Sequence, residues 1–242
     1  MRYFAELAYN GTRFVGWQAQ PTGVSVQATV EAALETVLRS PTSVVGCGRT
    51  DAGVHAEHFV LHFDSAAALP HDLLKRLNHL CGRDIVFTKI YAVADDAHAR
   101  FDATSRSYVY KIDLQRSPFH TETAWFYPFA SRVDTKKMQA AADLLLNYTD
   151  FATFCKTHTQ VHTTLCTLTR SEWILTETAW EYHITANRFL RGMIRLIVGA
   201  CLEIGQGRMS LEDLQAAMEN KKALQKPLSV PPEGLYLRQI IY

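Results

Sequence analysis

The order in which strand-like and helix-like periodicities follow one another is the strongest constraint on the fold. Arg2 to Tyr9 alternates loosely, as a strand does, and Asn10-Gly11 is a turn signal. Val26, Val30, Ala33, Leu34, Val37 and Leu38 fall at helical spacing behind Ser25, a good N-cap. Ser43 to Cys47 and Phe59 to Phe63 read as short strands. Leu73, Leu74, Leu77 and Leu80 make a helix just after Pro70, and Ile85 to Ile90 a further strand. The order β-α-β-β-α-β is the split βαβ arrangement.

The pattern then approximately repeats. Tyr108 to Ile112 is a strand and Thr135 to Leu146 a helix with an alanine-rich face. Thr167–Leu175 and Trp180–Ala186 pair around Glu177-Thr178. Phe189 to Ile204 is a long apolar helix, Leu211 to Met218 another, and Leu235 to Ile241 a last strand. Two similar α+β halves are expected, 1–100 and 101–242, with a joint near 95–105 where Asp95-Asp96-Ala97-His98 breaks the period.

Composition removes several alternatives. At 48% hydrophobic and 20% charged, the chain of 242 residues has the apolar content of a folded domain, not of a disordered segment. No window approaches the ~18 apolar residues of a membrane span, and the opening lacks the apolar run of a signal peptide. The five cysteines are scattered, with no Cys-x-x-Cys, which suits a reducing, cytoplasmic compartment. A net charge of +1 does not exclude nucleic acid, because what matters is where the basic groups gather.

Three clusters can carry chemistry. In Gly46-Cys47-Gly48-Arg49-Thr50-Asp51-Ala52-Gly53-Val54-His55, glycines flank Arg49 and Asp51 on a loop leaving a buried strand. Such a loop can hold a reactive carboxylate beside a guanidinium; an ordinary turn with a surface ion pair is the other reading. It lacks the Gly-Lys-Ser/Thr ending of a phosphate loop. Arg100-Phe101-Asp102-Ala103-Thr104-Ser105-Arg106-Ser107-Tyr108-Val109-Tyr110-Lys111 interleaves aromatics with cations, as RNA-binding surfaces do, or is a half-buried strand whose tyrosines pack. Arg188, Arg191 and Arg195 stand at i, i+3 and i+7, so on one helix they share a face, paired with acids or reaching water. Cys155, His158, His162 and Cys166 are ligand types that suit zinc, but they lack a Cys-x-x-Cys knuckle, and no metal is expected.

Taken together these clusters resemble the tRNA pseudouridine synthase A family. Gly48-Arg49-Thr50-Asp51-Ala52-Gly53-Val54-His55 is similar to its signature loop, and Tyr9-Asn10-Gly11-Thr12-Arg13-Phe14-Val15-Gly16-Trp17-Gln18 to its N-terminal segment. His98-Ala99-Arg100-Phe101 and Arg106-Ser107-Tyr108-Val109-Tyr110 resemble its middle motif. Phe189 to Gly199 and Glu233-Gly234-Leu235-Tyr236-Leu237 resemble its C-terminal motifs, so the likeness runs in family order from about residue 3 to 240.

The resemblance implies two ferredoxin-like halves sharing a central, mostly antiparallel sheet, with an active-site cleft between them. It implies a homodimer that acts on tRNA without a cofactor, isomerising uridine to pseudouridine at positions 38–40 of the anticodon stem-loop. Asp51 would be the catalytic carboxylate, and Arg49 would help hold the flipped-out state. Tyr108 would stack on the uracil, Arg195 pair with Asp51, and Leu235 wall the pocket, with Arg100 a further substrate contact. Arg13, Phe14 and Trp17 are candidates for an outer tRNA contact. Two other readings compete: a non-catalytic RNA-binding protein on the same scaffold, and a zinc hydrolase built on Cys155, His158, His162 and Cys166.

Overall fold

The structure is a computed structural model that describes residues 1–155, 162–225 and 227–242. The fold is α+β. Its described elements are nine strands, five α-helices and short 3₁₀ turns. They form two compact units, residues 1–106 with 236–242, and residues 107–235.

In the first unit, β1 (Arg2–Tyr9) lies between β4 (Ile85–Val93) and β3 (His55–Asp64), antiparallel to both. The ten residues of β3 are long enough for two partners on its other edge. The short β2 (Val45–Gly46) pairs antiparallel with Leu61 and His62, while β9 (Leu235–Ile241) pairs parallel through Tyr236 and Leu237 with His55 and Ala56. The last residues of the chain are thereby joined to the strand that leaves the Asp51 loop. Helices α1 (Val26–Leu38) and α2 (Leu73–Leu80) bury apolar stripes: Val26, Val30, Ala33, Leu34 and Val37 on α1, and Leu73 and Leu77 on α2. Ser25 caps α1, its hydroxyl accepting from the Ala28 N–H, and Arg39 ends the helix in a left-handed conformation at φ 56°.

In the second unit the strand order is β5 (Ser105–Asp113), β8 (Ala179–Ala186), β7 (Leu168–Leu175), with β6 (Trp125–Phe126) parallel to β5. Strands β7 and β8 form the expected hairpin. Helix α3 (Thr135–Leu144) is capped by Asp134, and α5 (Leu211–Glu219) by a Ser210/Asp213 capping box. The apolar helix α4 (Met193–Gly205) is buried on nearly every side and packs against α3. Its close contacts need small residues. A Cβ on Gly199 would sit 1.8 Å from the Leu228 carbonyl oxygen, which explains how the 228–231 segment lies directly against the helix.

Helix α4 starts at Met193, not at the expected Phe189. Gly192, left-handed at φ 72°, stands at its N-terminus, and Met193 N–H bonds back to the Leu190 carbonyl in a tight turn. Arg188 and Arg191 therefore precede the helix, and Arg195 alone of the three arginines is on it. The expected common arginine stripe does not form.

Candidate active site

The loop carrying Asp51 is shaped by backbone contacts from the segment after β1. Trp17 N–H donates to the Thr50 carbonyl (3.2 Å) and Gly53 N–H to the Phe14 carbonyl (3.3 Å). The Tyr9 hydroxyl meets Thr50 Oγ1 at 2.9 Å. Asp51 itself opens a turn: its carbonyl accepts from Val54 N–H (3.2 Å), with Gly53 left-handed at φ 77°. The two segments approach so closely that side chains are excluded. A Cβ at Gly11 would lie 2.0 Å from the Val54 carbonyl oxygen, and one at Gly16 2.5 Å from that of Thr50. Gly11 N–H also donates to Nδ1 of His55 (3.0 Å), a buried ring stacked on Tyr236 at 4.5 Å. The Asp51 backbone is thus gripped from both sides, and its side chain is half-buried.

Arg49 is exposed on the same loop and lines a cavity of about 180 Å³ with Arg100. Trp17, Gln18, Gln27, Val44, the β2 residues Val45 and Gly46, and Gly48 complete the lining. Two expected substrate contacts are therefore brought together. The turn bearing Arg100 is held by the Arg106 guanidinium, which donates to the carbonyls of Arg100 (2.7 Å), Cys47 (3.1 Å) and Ala103 (3.2 Å). One planar cation thereby joins the 100–103 turn to the residue that starts the Gly48-Arg49 stretch. Burial pushes the Cys47 thiol up to about 12, so it is an inert packing group.

Two imidazoles hold the same turn from below. His62 Nδ1 accepts from Ala99 N–H (3.1 Å), and His98 Nδ1 accepts from the amides of Arg100 (3.1 Å) and Phe101 (3.3 Å). The His98 amide donates to Asp102 Oδ2 (2.7 Å) and the Tyr242 hydroxyl to the Ala99 carbonyl (2.7 Å). Burial, then the nearby Arg2 and His98, hold the His62 imidazole down to about 4, so it is neutral and able to accept at Nδ1.

The remaining expected site residues are carried by the second unit. Tyr108 is half-buried on β5, edge-on to Phe189 at 5.2 Å. Arg195 is in the first turn of α4, where its Nε donates to the Val230 carbonyl at 2.6 Å. Leu235 is buried and follows Gly234, whose missing Cβ would lie 2.7 Å from the Lys111 carbonyl oxygen. Between these, Tyr110 is fully buried and donates to the Pro231 carbonyl (2.8 Å), fixing the segment that Arg195 also binds. Phe14 and Trp17 are buried, Trp17 stacked on Phe59 at 4.0 Å, so they pack the core where an outer tRNA contact was expected. Arg13 stays exposed beside Asp84.

A family model described as tRNA pseudouridine synthase matches residues 141–242. The whole chain aligns with a tRNA pseudouridine synthase A of Porphyromonas gingivalis at 45% identity, covering 97% of that relative. The homologue of that name from Bacteroides fragilis is 43% identical over the whole chain and 96% of its own length. The one from Staphylococcus aureus strain MRSA252 is 34% identical over 99% of this chain and 91% of its own. The chain belongs to the tRNA pseudouridine synthase A family. It is an isomerase that acts on uridine in tRNA.

Arg106, His62 and His98 are the parts of the synthase that sequence reading missed as supports of the site. Each acts through backbone carbonyls or amides, and such partners leave no spacing pattern. The zinc reading names four residues, three of which are described. Cys166 is buried, Cys155 half-buried and His162 exposed, while His158 lies outside the described residues. Among the described residues no three candidate ligands gather. No described helix of the synthase is long and apolar enough to cross a membrane.

Proposed function

We propose that the synthase converts uridine to pseudouridine at positions 38–40 of the tRNA anticodon stem-loop, with Asp51 as its catalytic carboxylate. The N1–C1′ bond breaks, the base turns, and C5 joins C1′; C5 gives up its proton and N1 gains one. Atoms balance within the nucleotide, so neither oxidant nor group donor is consumed. What the protein supplies is a fixed carboxylate, a stacking ring and a pocket that excludes water.

One observation carries this reading: the Asp51 backbone is clamped by the segment of Gly11 to Trp17, so close that glycine is required at two positions. A surface turn has no need of such a clamp, whereas a reacting group must be held to a fraction of an ångström. The target uridine must leave its stack, at a cost of a few kcal/mol. Tyr108 stacks on it, Arg49 and Arg100 hold the displaced backbone, Arg195 is the counter-charge of Asp51, and Leu235 walls the pocket. In this reading the halves 1–100 and 101–242 are each ferredoxin-like, and the enzyme is a cytoplasmic homodimer.

The test is to incubate the protein with an unmodified tRNA transcript and map pseudouridine base by base. Product confined to positions 38–40 is expected. Product elsewhere overturns the anticodon-loop assignment. Sedimentation of the purified protein checks the dimer: a single monomeric species overturns it.

A further inference from the structure

The turn that carries Arg100 also displays a phenylalanine. Phe101 is 74% exposed. A single exposed apolar residue is ordinary, but this one is built in place. Its amide is bonded to His98 Nδ1 at 3.3 Å, and the His98 ring lies 4.2 Å from its own at an interplanar angle of 32°. The Arg100 guanidinium is 5.7 Å from its centroid. His98 is in turn braced by the His62 ring at 4.7 Å, and the turn by Arg106 and Tyr242. So the ring is oriented before any ligand arrives, and stacking on it costs little ordering entropy. Arg100, the residue before it, lines a cavity with Arg49, so one of two cations suited to phosphates stands beside an aromatic ring suited to a base.

We infer that Phe101 is a second base-stacking residue of the synthase, offering its His98-backed ring to an unpaired nucleobase of the tRNA beside the phosphate contacts of Arg100 and Arg49. This rests on the reading of Arg100 as a substrate contact. Every base has a π face, so the residue contributes affinity and register without choosing a sequence.

The experiment measures affinity for a full-length unmodified tRNA transcript, with KM and kcat for pseudouridine formation, in Phe101→Leu and Phe101→Tyr. Leu keeps the apolar bulk and loses the ring. Its Kd and KM are expected to rise about 5- to 150-fold with kcat little changed, while Tyr stays close to wild type. Amide exchange at Arg100 and Phe101 is expected to match wild type in Phe101→Leu. Wild-type affinity in the Leu variant, equal weakening in the Tyr variant, or loosened amides that accompany the loss would each overturn the inference. Arg100→Ala is run alongside. If that variant binds tRNA as wild type does, the reading of Arg100 fails whatever Phe101→Leu shows. If it weakens and Phe101→Leu does not, the stacking assignment alone fails.

Discussion

Replacing Gly16 with alanine should damage catalysis far more than folding. Gly16 has φ +104°, and an added Cβ would sit 2.5 Å from the Thr50 carbonyl oxygen and 3.1 Å from the Asp51 carbonyl carbon. That is about 0.9 Å short of ordinary contact, and both neighbours are backbone, so the Asp51 loop itself must move. A displacement of about 1 Å at a reacting group can cost roughly 100-fold in rate. Gly82 is the control: its φ is +70°, and no described atom lies within 4 Å of an added Cβ. Both alanine variants carry the left-handed strain of an L-residue, roughly 1–2 kcal/mol or a few degrees of melting temperature, and Gly16→Ala adds about 1–3 kcal/mol for its backbone clash, which Gly82→Ala lacks. Single-turnover pseudouridine formation at saturating tRNA, with thermal melts of each variant, separates the two effects. Gly16→Ala is expected to remain folded and lose about two orders of magnitude in rate, and Gly82→Ala to keep its rate. A Gly16→Ala rate close to wild type, or an equal loss in Gly82→Ala, would refute the reasoning.

Other consequences follow from the same contacts. His62 is held neutral down to about 4 while an unfolded imidazole takes its proton near 6.5, so the unfolded chain binds more protons between those values. Stability contributed by neutral His62 is present above about pH 6.5 and is lost as pH falls toward 4, by up to about 3 kcal/mol. Arg2 and His98 oppose that proton, while Asp64 and Asp102 favour it; urea unfolding at pH 7 and 4.5 should show a smaller acid loss in His62→Gln than in wild type. Arg106→Ala strips a charged donor from three carbonyls. It is expected to destabilise by about 1.5–3 kcal/mol and to speed amide exchange across 98–103, and unchanged exchange there would contradict the clamp. Gly199→Ala places a Cβ 1.8 Å from the Leu228 oxygen, so a loss of at least about 2 kcal/mol is expected in thermal or denaturant melts.

Much of this architecture is legible from local patterns because local physics decides it. Strand β1 and strand β9 fall where alternation and the last apolar run place them, and α1 begins behind the Ser25 cap. The misses share a cause. Helix α4 starts late because a left-handed Gly192 interrupts an apolar run whose period alone would continue back to Phe189. Strand β3 begins at His55, four residues earlier than its apolar core suggests, because His55 and Ala56 find partners in Tyr236 and Leu237, some 180 residues on. No window of sequence contains that pairing. The Asp51 loop was legible from its run of glycines around Arg49 and Asp51, but the close backbone approach falls at Gly11 and Gly16 on the segment that grips it, while Gly48 has no described atom within 4 Å of an added Cβ. Its supports were not: Arg106 and His98 bind main-chain atoms, which every residue has.

The most direct measurement is Asp51→Asn, which keeps the side chain's size and removes its charge. Filter binding of unmodified tRNA and single-turnover mapping of pseudouridine are done on the same preparation. Affinity within a few-fold of wild type with no detectable product is the expected result. Pseudouridine formed at the wild-type rate by that variant would contradict the assignment of Asp51 as the carboxylate that drives the reaction.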